Sequence, residues 1–144
     1  MRSYVDSNVI ISYINQEFGS KFEVMDYRVE QFFAICIEDK HRLIISDLTV
    51  KEIADHTYLT KNEVIDFLKE LGLDVEYEEY LPQKKRLIRD HIRKRAEIKK
   101  VPRPDDLHVA FALEAKADCI VTWNKKDFEP VEKLIDIYSP DEFI

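Results

Sequence analysis

Four acidic residues stand where short apolar runs hand over to helical segments: Asp6, Glu52, Asp105 and Asp127. Asp6 directly follows Ser3-Tyr4-Val5, and Glu52 lies in the helical stretch after Leu43-Ile44-Ile45. Asp105 and Asp106 open a nearly all-apolar helical segment. Asp127 closes the stretch Val121-Thr122-Trp123-Asn124-Lys125-Lys126-Asp127. Carboxylates gathered at one place repel one another and need a cation to coexist near neutral pH. An oxygen-only donor set suits a hard divalent ion, Mg²⁺ or Mn²⁺, rather than zinc. Such an ion lowers the pKa of a bound water and offsets charge on a phosphoryl oxygen, and two ions roughly 4 Å apart clamp both reacting oxygens. That is the chemistry of phosphodiester hydrolysis. Each acid also has a plain structural reading. Glu52 could complete a capping box begun by Thr49, Asp105 could cap a helix, Asp127 could serve a turn, and Asp6 could be an N-cap. The argument for chemistry is that all four fall at the same kind of position.

The elements that must bring them together are legible from periodicity. Ser3-Tyr4-Val5, Leu43-Ile44-Ile45, Asp74–Tyr77, Cys119-Ile120-Val121 and Leu134–Ile137 predict five short strands. Val9, Ile10, Tyr13 and Ile14 recur at helical spacing, and a second helix is predicted from about Met25 to Glu38. A short helix is expected around Thr49–Asp55. Thr60 and Glu63 then form a capping box, Val64, Ile65, Phe67, Leu68 and Leu71 an apolar stripe, and Gly72 a stop. Pro82 opens a basic helix expected to reach about Lys100. Pro102 and Pro104 interrupt it, and a further helix runs from Asp105 or Asp106 to about Ala115. Apolar strands alternating with helices predict a parallel sheet covered on both faces, a three-layer α/β/α sandwich of about five strands. In such folds the site lies at the carboxyl ends of the strands, near the switch in strand order.

Length and composition, 144 residues with 45% hydrophobic, predict one domain over residues 1–144. No apolar run approaches the ~20 residues of a membrane helix. Met1-Arg2 leads straight into a strand-like run, which predicts no secretory leader and a cytoplasmic protein without a membrane partner. Cys36 and Cys119 are too few and too far apart for a zinc knuckle and read as buried small hydrophobes. The net charge of −7 argues at first against nucleic acid. Yet residues 84–103 carry ten Lys or Arg against Asp90 and Glu97, which leaves −15 elsewhere. Such segregation predicts a basic strip of Lys84, Lys85, Arg86, Arg89, Arg93, Lys94 and Arg95 opposite or beside the acidic site, suited to a phosphate backbone; a solvated helix face is the competing reading.

Over essentially the whole chain the residues resemble the PIN-domain family, in particular the VapC-type toxin ribonucleases and stand-alone PIN nucleases. Tyr4-Val5-Asp6-Ser7-Asn8 is similar to the opening motif, and Ile45-Ser46-Asp47-Leu48-Thr49-Val50-Lys51-Glu52 to the second. Asp105-Asp106-Leu107-His108-Val109-Ala110-Phe111-Ala112-Leu113 resembles the third, and Val121-Thr122-Trp123-Asn124 with Lys126-Asp127-Phe128 the fourth. The resemblance implies an endoribonuclease that uses one or two Mg²⁺ or Mn²⁺ ions, held by Asp6, Glu52, Asp105 and Asp127, and leaves a 5′-phosphate and a 3′-hydroxyl. It gives Thr122 and Asn124 a supporting role and places Ser7 near a phosphate. It also implies an antitoxin partner where the protein is a toxin, and a homodimer. The strongly basic 84–103 segment departs from the family pattern. Between the neighbouring acids, the helical wheel leans towards Asp106 by burial, whereas the family frame selects Asp105.

Other classes that place acids at strand ends fit less well. A haloacid-dehalogenase-type phosphatase needs Asp-x-Asp where this chain has Asp6-Ser7-Asn8. A receiver domain needs paired N-terminal acids and a lysine directly after a late strand, where Thr122 stands. A non-catalytic or DNA-acting PIN module is the remaining alternative; the complete acidic set argues against the non-catalytic form.

Overall fold

The computed structural model describes residues 1–16 and 23–143. Five parallel strands, β1 (Arg2–Val5), β2 (Arg42–Ser46), β3 (Asp74–Glu78), β4 (Cys119–Val121) and β5 (Asp136–Tyr138), form one sheet in the order β3-β2-β1-β4-β5. The three inner strands are buried almost throughout, and the edge strands β3 and β5 are half-exposed. This matches the sequence: Leu43-Ile44-Ile45 and Cys119-Ile120-Val121 are uninterrupted apolar runs, as strands covered on both faces must be. Asp74–Glu78 and Asp136–Tyr138 alternate acid with apolar or aromatic residues, a pattern suited to an edge.

Alternation along the strands divides the interior into two cores. Val5, Leu43, Ile45, Cys119 and Val121 face helices α1 (Ser7–Gln16), α2 (Glu23–Glu38), α3 (Asp47–Thr57) and α4 (Lys61–Glu70). Tyr4, Ile44 and Ile120 face α5 (Pro82–Lys94), α6 (Ala96–Lys99), α7 (Asp105–Glu114) and α8 (Lys125–Phe128). The result is the three-layer α/β/α sandwich expected from the sequence. The Thr60–Glu63 capping box forms with both reciprocal bonds, and Gly72 takes φ +94° just beyond α4. There a side chain would be strained, so glycine is the fitting stop.

Three expectations need correction. The basic helix does not run to Lys100. It ends at Lys94, Arg95 is extended at φ −121°, and a single turn follows. The cause is packing: Ile88 and Ile98 are both fully buried in the second core. At ~100° per residue a continuous helix would rotate Ile98 about 80° off the face that carries Ile88. Breaking the helix lets both side chains in, and each contributes roughly 1.5–3 kcal/mol of burial. The last strand begins at Asp136 rather than Leu134, because Leu134 and Ile135 still bond back to the Val131 carbonyl (2.8 and 3.1 Å). Helix α3 starts earlier than Thr49, since Ser46 is its N-cap and Thr49 the reciprocal partner. Glu52 therefore has no capping duty.

Candidate active site

Strand order reverses between β1 and β4, so their carboxyl ends flank the switch point. Val5 pairs with Val121, and the Asp6 N–H donates to the Val121 carbonyl at 2.9 Å. This register sets Asp6 beside Thr122. Thr122, fully buried, donates its hydroxyl to Asp6 Oδ2 at 2.8 Å. Thr122 Oγ1 in turn accepts the Asn124 N–H (3.0 Å) and the Asn8 amide (3.4 Å). Asn124 thus supports the site through its backbone, while its side chain is exposed. Asp6 is only 4% exposed, and its oxygens are taken by side-chain hydroxyls.

Glu52 reaches the same point from α3. Ser7 Oγ lies 3.0 Å from Glu52 Oε1 and 3.4 Å from Asp6 Oδ1, so its one proton sits between the two carboxylates. The structure therefore shows Ser7 turned towards the acids. His108 Nε2 stands 2.5 Å from Glu52 Oε1 and 3.8 Å from Asp6 Oδ1. The other ring nitrogen, Nδ1, is 2.7 Å from the Tyr4 hydroxyl. That hydroxyl also meets Ser46 Oγ at 2.7 Å and Thr49 Oγ1 at 3.2 Å. Desolvation pushes Glu52 up, but the hydrogen bond and charge of His108, the Ser7 bond and the charge of His56 outweigh it and hold the carboxyl below its ordinary range. Burial favours neutral imidazole at His108, yet Tyr4, the Glu52 bond and the Asp6 and Glu52 charges raise it well above the usual histidine value.

Asp105 and Asp106 part company at the start of α7. Asp106 is the more buried, at 5% exposure, as the wheel suggested. Its oxygens are engaged locally, by the Leu107 N–H at 2.9 Å and by Arg103 at 3.4 Å. Asp105 is half-buried, and its carboxyl is pushed up to about 6, first by desolvation and then by the charges of Asp6, Asp127 and Glu52, against a lowering by His108. Asp105 thus feels the charges of the other acids. Asp127, on the short α8, is half-exposed, and grooves of about 530 and 560 Å³ flank it, both bordered by Lys126.

The tightest group of potential ligand atoms among the described residues is Asp6, Glu52 and His108, all within 4.8 Å of one another. Asp105 and Asp127 lie outside that group; Asp105 feels the charges of all three of its members, and Asp127 acts on Asp105. Asp105, held near 6 by burial first and by the charges of Asp6, Asp127 and Glu52 after it, adds a further carboxyl beside a cluster in which hard oxygen donors dominate. The residues fit a divalent cation.

The basic strip is spread along α5. Lys84 pairs with Glu78 at the carboxyl end of β3, and Lys85 lies 5.4 Å over the Tyr80 ring. Arg86 and Arg89 are exposed, and Arg93 pairs with Asp90 at 2.5 Å. His91 meets Glu114 at the end of α7, so Arg93, Lys94 and Arg95 lie towards the opposite edge of the sheet from the acids.

Sequence reasoning missed Tyr4 and His108. The available signal was spacing: His108 follows Asp105 by one helical turn and is the only polar side chain in Leu107–Leu113.

A parallel sheet with acids converging on its switch point forms a candidate divalent-cation site. The chain belongs to the PIN domain family: the family model described as PIN domain matches residues 2–126. PIN domains form a nuclease superfamily whose members typically depend on divalent metal ions. Comparison with curated proteins gives no match. Among the described residues no helix is long and apolar enough to cross a membrane.

Proposed function

We propose that residues 1–144 act as a Mg²⁺- or Mn²⁺-dependent endoribonuclease domain, with the cation held by Asp6, Glu52, Asp105 and Asp127. The observation that carries this reading is the convergence of the Asp6 and Glu52 carboxylates at the switch point, with ligand atoms within 4.8 Å. The half-buried Asp105, raised to about 6 first by desolvation and then by the charges of Asp6, Asp127 and Glu52, adds to it. When bound, the ion would acidify a water and offset charge on the scissile phosphate. The chain's own part is orientation. Thr122 fixes one oxygen of Asp6, Ser7 ties Asp6 to Glu52, and His108 holds the same Glu52 oxygen, Oε1. Asp127 borders the same two grooves as Lys126, and its charge reaches Asp105. RNA as substrate rests on the likeness to VapC-type and stand-alone PIN ribonucleases and on the basic content of residues 84–103.

The test is cleavage of single-stranded RNA and its DNA counterpart with Mg²⁺ or Mn²⁺. RNA cleavage that stops in excess EDTA and returns with the metal is expected. Undiminished cleavage in EDTA would sink the metal reading, and preference for DNA would overturn the substrate assignment.

A further inference from the structure

Asp6, Glu52 and His108 present three potential ligand atoms within 4.8 Å, which on distance alone makes His108 a third metal ligand. The hydrogen bonding says otherwise. An ionised carboxylate can only accept, so the 2.5 Å contact to Glu52 Oε1 requires a proton on His108 Nε2. A nitrogen carrying that proton has no lone pair for a cation. The other ring nitrogen is turned away, 2.7 Å from the Tyr4 hydroxyl in a fully buried position. We propose that His108 is a positioning residue that locks Glu52 for cation binding, and not a ligand. This rests on the reading of the acids as a metal site.

The lock closes on itself. Ser46 caps α3, the helix that bears Glu52, and its hydroxyl meets Tyr4 at 2.7 Å. Tyr4 meets His108, and His108 meets the Glu52 side chain. Glu52 is therefore held from its helix start and from its carboxylate by one ring of contacts joining β1, α3 and α7. The same α7 turn carries Asp105 one turn before His108. Holding His108 on Glu52 thus fixes the separation of two of the acids. Ligand-orienting hydrogen bonds of this kind generally matter to metal affinity by roughly 10–100-fold.

The experiment combines variants with a direct view of the proton. Mn²⁺ affinity is measured by electron paramagnetic resonance for wild type, His108→Ala, His108→Gln and Tyr4→Phe, with circular dichroism to confirm folding. Gln can place an amide N–H near the position of Nε2 but offers no nitrogen ligand. His108→Ala should weaken Mn²⁺ roughly 10–100-fold, with His108→Gln recovering most of the loss and Tyr4→Phe falling between. Nitrogen-15 histidine NMR of wild type should show Nε2 protonated both without metal and with saturating Mg²⁺. Equal losses for Ala and Gln, no loss for Ala, or disappearance of the Nε2 proton on adding Mg²⁺ would each overturn the proposal. If His108→Ala does not fold, His108→Gln, Tyr4→Phe and the NMR measurement still decide. Wild type that keeps the Nε2 proton but binds no cation would sink the nuclease reading while leaving the lock on Glu52 standing.

Discussion

Replacing Asp105 by Asn removes a charge from the crowded site while keeping the side chain's size, and its consequence for stability can be worked from the geometry. The folded-state value of about 6 compares with 3.8 for an unperturbed aspartate. At ~1.4 kcal/mol per pKa unit this corresponds to at most about 3 kcal/mol of unfavourable charge. Asp105 is only half-buried, and solvent screening reduces the figure to about 1–2 kcal/mol. An acid in the first turn of α7 also stabilises that helix by ~0.5 kcal/mol, which the variant gives up. Asp105→Asn should then be more stable than wild type by about 1 kcal/mol without divalent ions, a rise in Tm of roughly 2–4 °C for a chain of this size. The sign with pH follows from the raised value. The folded protein holds the Asp105 proton more tightly than the unfolded chain, so wild type has its full stability below about pH 4 and loses the difference as pH rises through about 6. The gap between the two proteins should therefore open over that interval and close in acid. Mn²⁺ should reverse the order, because wild type gains about 2.7 kcal/mol at a hundred times its Kd and the variant gains less. Thermal melts by circular dichroism in EDTA and in Mn²⁺, across pH, provide the measurement. An Asn variant less stable than wild type near neutral pH in EDTA, or a gap that ignores pH, would refute the reasoning.

Asp6→Asn should lower turnover by several orders of magnitude with the melting curve unchanged or slightly raised, since it too relieves repulsion; loss of the fold would make Asp6 structural. Reversing Lys84 and Lys85 should flatten the dependence of log RNA affinity on log salt by roughly 0.7 per lost contact. Reversing Arg93, Lys94 and Arg95, towards the far edge of the sheet, should change that slope less; unchanged slopes in both sets would make the strip a solvated face. Thr60→Ala should cost about 1 kcal/mol in urea unfolding by removing the α4 cap, without altering Mn²⁺ affinity.

The parts of the fold legible in the sequence were those that local chemistry decides. Three buried strands announced themselves as apolar runs, and the Thr60–Glu63 box named its own helix. What escaped was decided across the chain. Nothing between Leu81 and Lys100 signals a break at Arg95, because the charged composition continues; only the need to bury Ile98 with Ile88 in the second core ends the helix. Leu134 and Ile135 look like strand and are claimed instead by the turn from Val131.

The candidate site divides along the same line, and that division bears on how such a cluster is held together. Acids at strand ends can be read one at a time, because a parallel sheet delivers every carboxyl end to one edge. Their mutual geometry cannot, since it depends on side chains from β1, α3 and α7 meeting at one histidine. Acidic residues that repel one another will splay towards solvent unless something other than the cation restrains them. Asp6 is restrained by Thr122 and Glu52 by His108, while Asp105 is placed by its helix and is raised first by burial and then by the charges of the other acids. A buried Tyr in the middle of a strand and a buried His in an apolar helix look, singly, like core residues with a satisfied polar tip. Their pairing follows only once β1 lies under α7, and it converts two unremarkable positions into the restraint that keeps the cluster set for an ion.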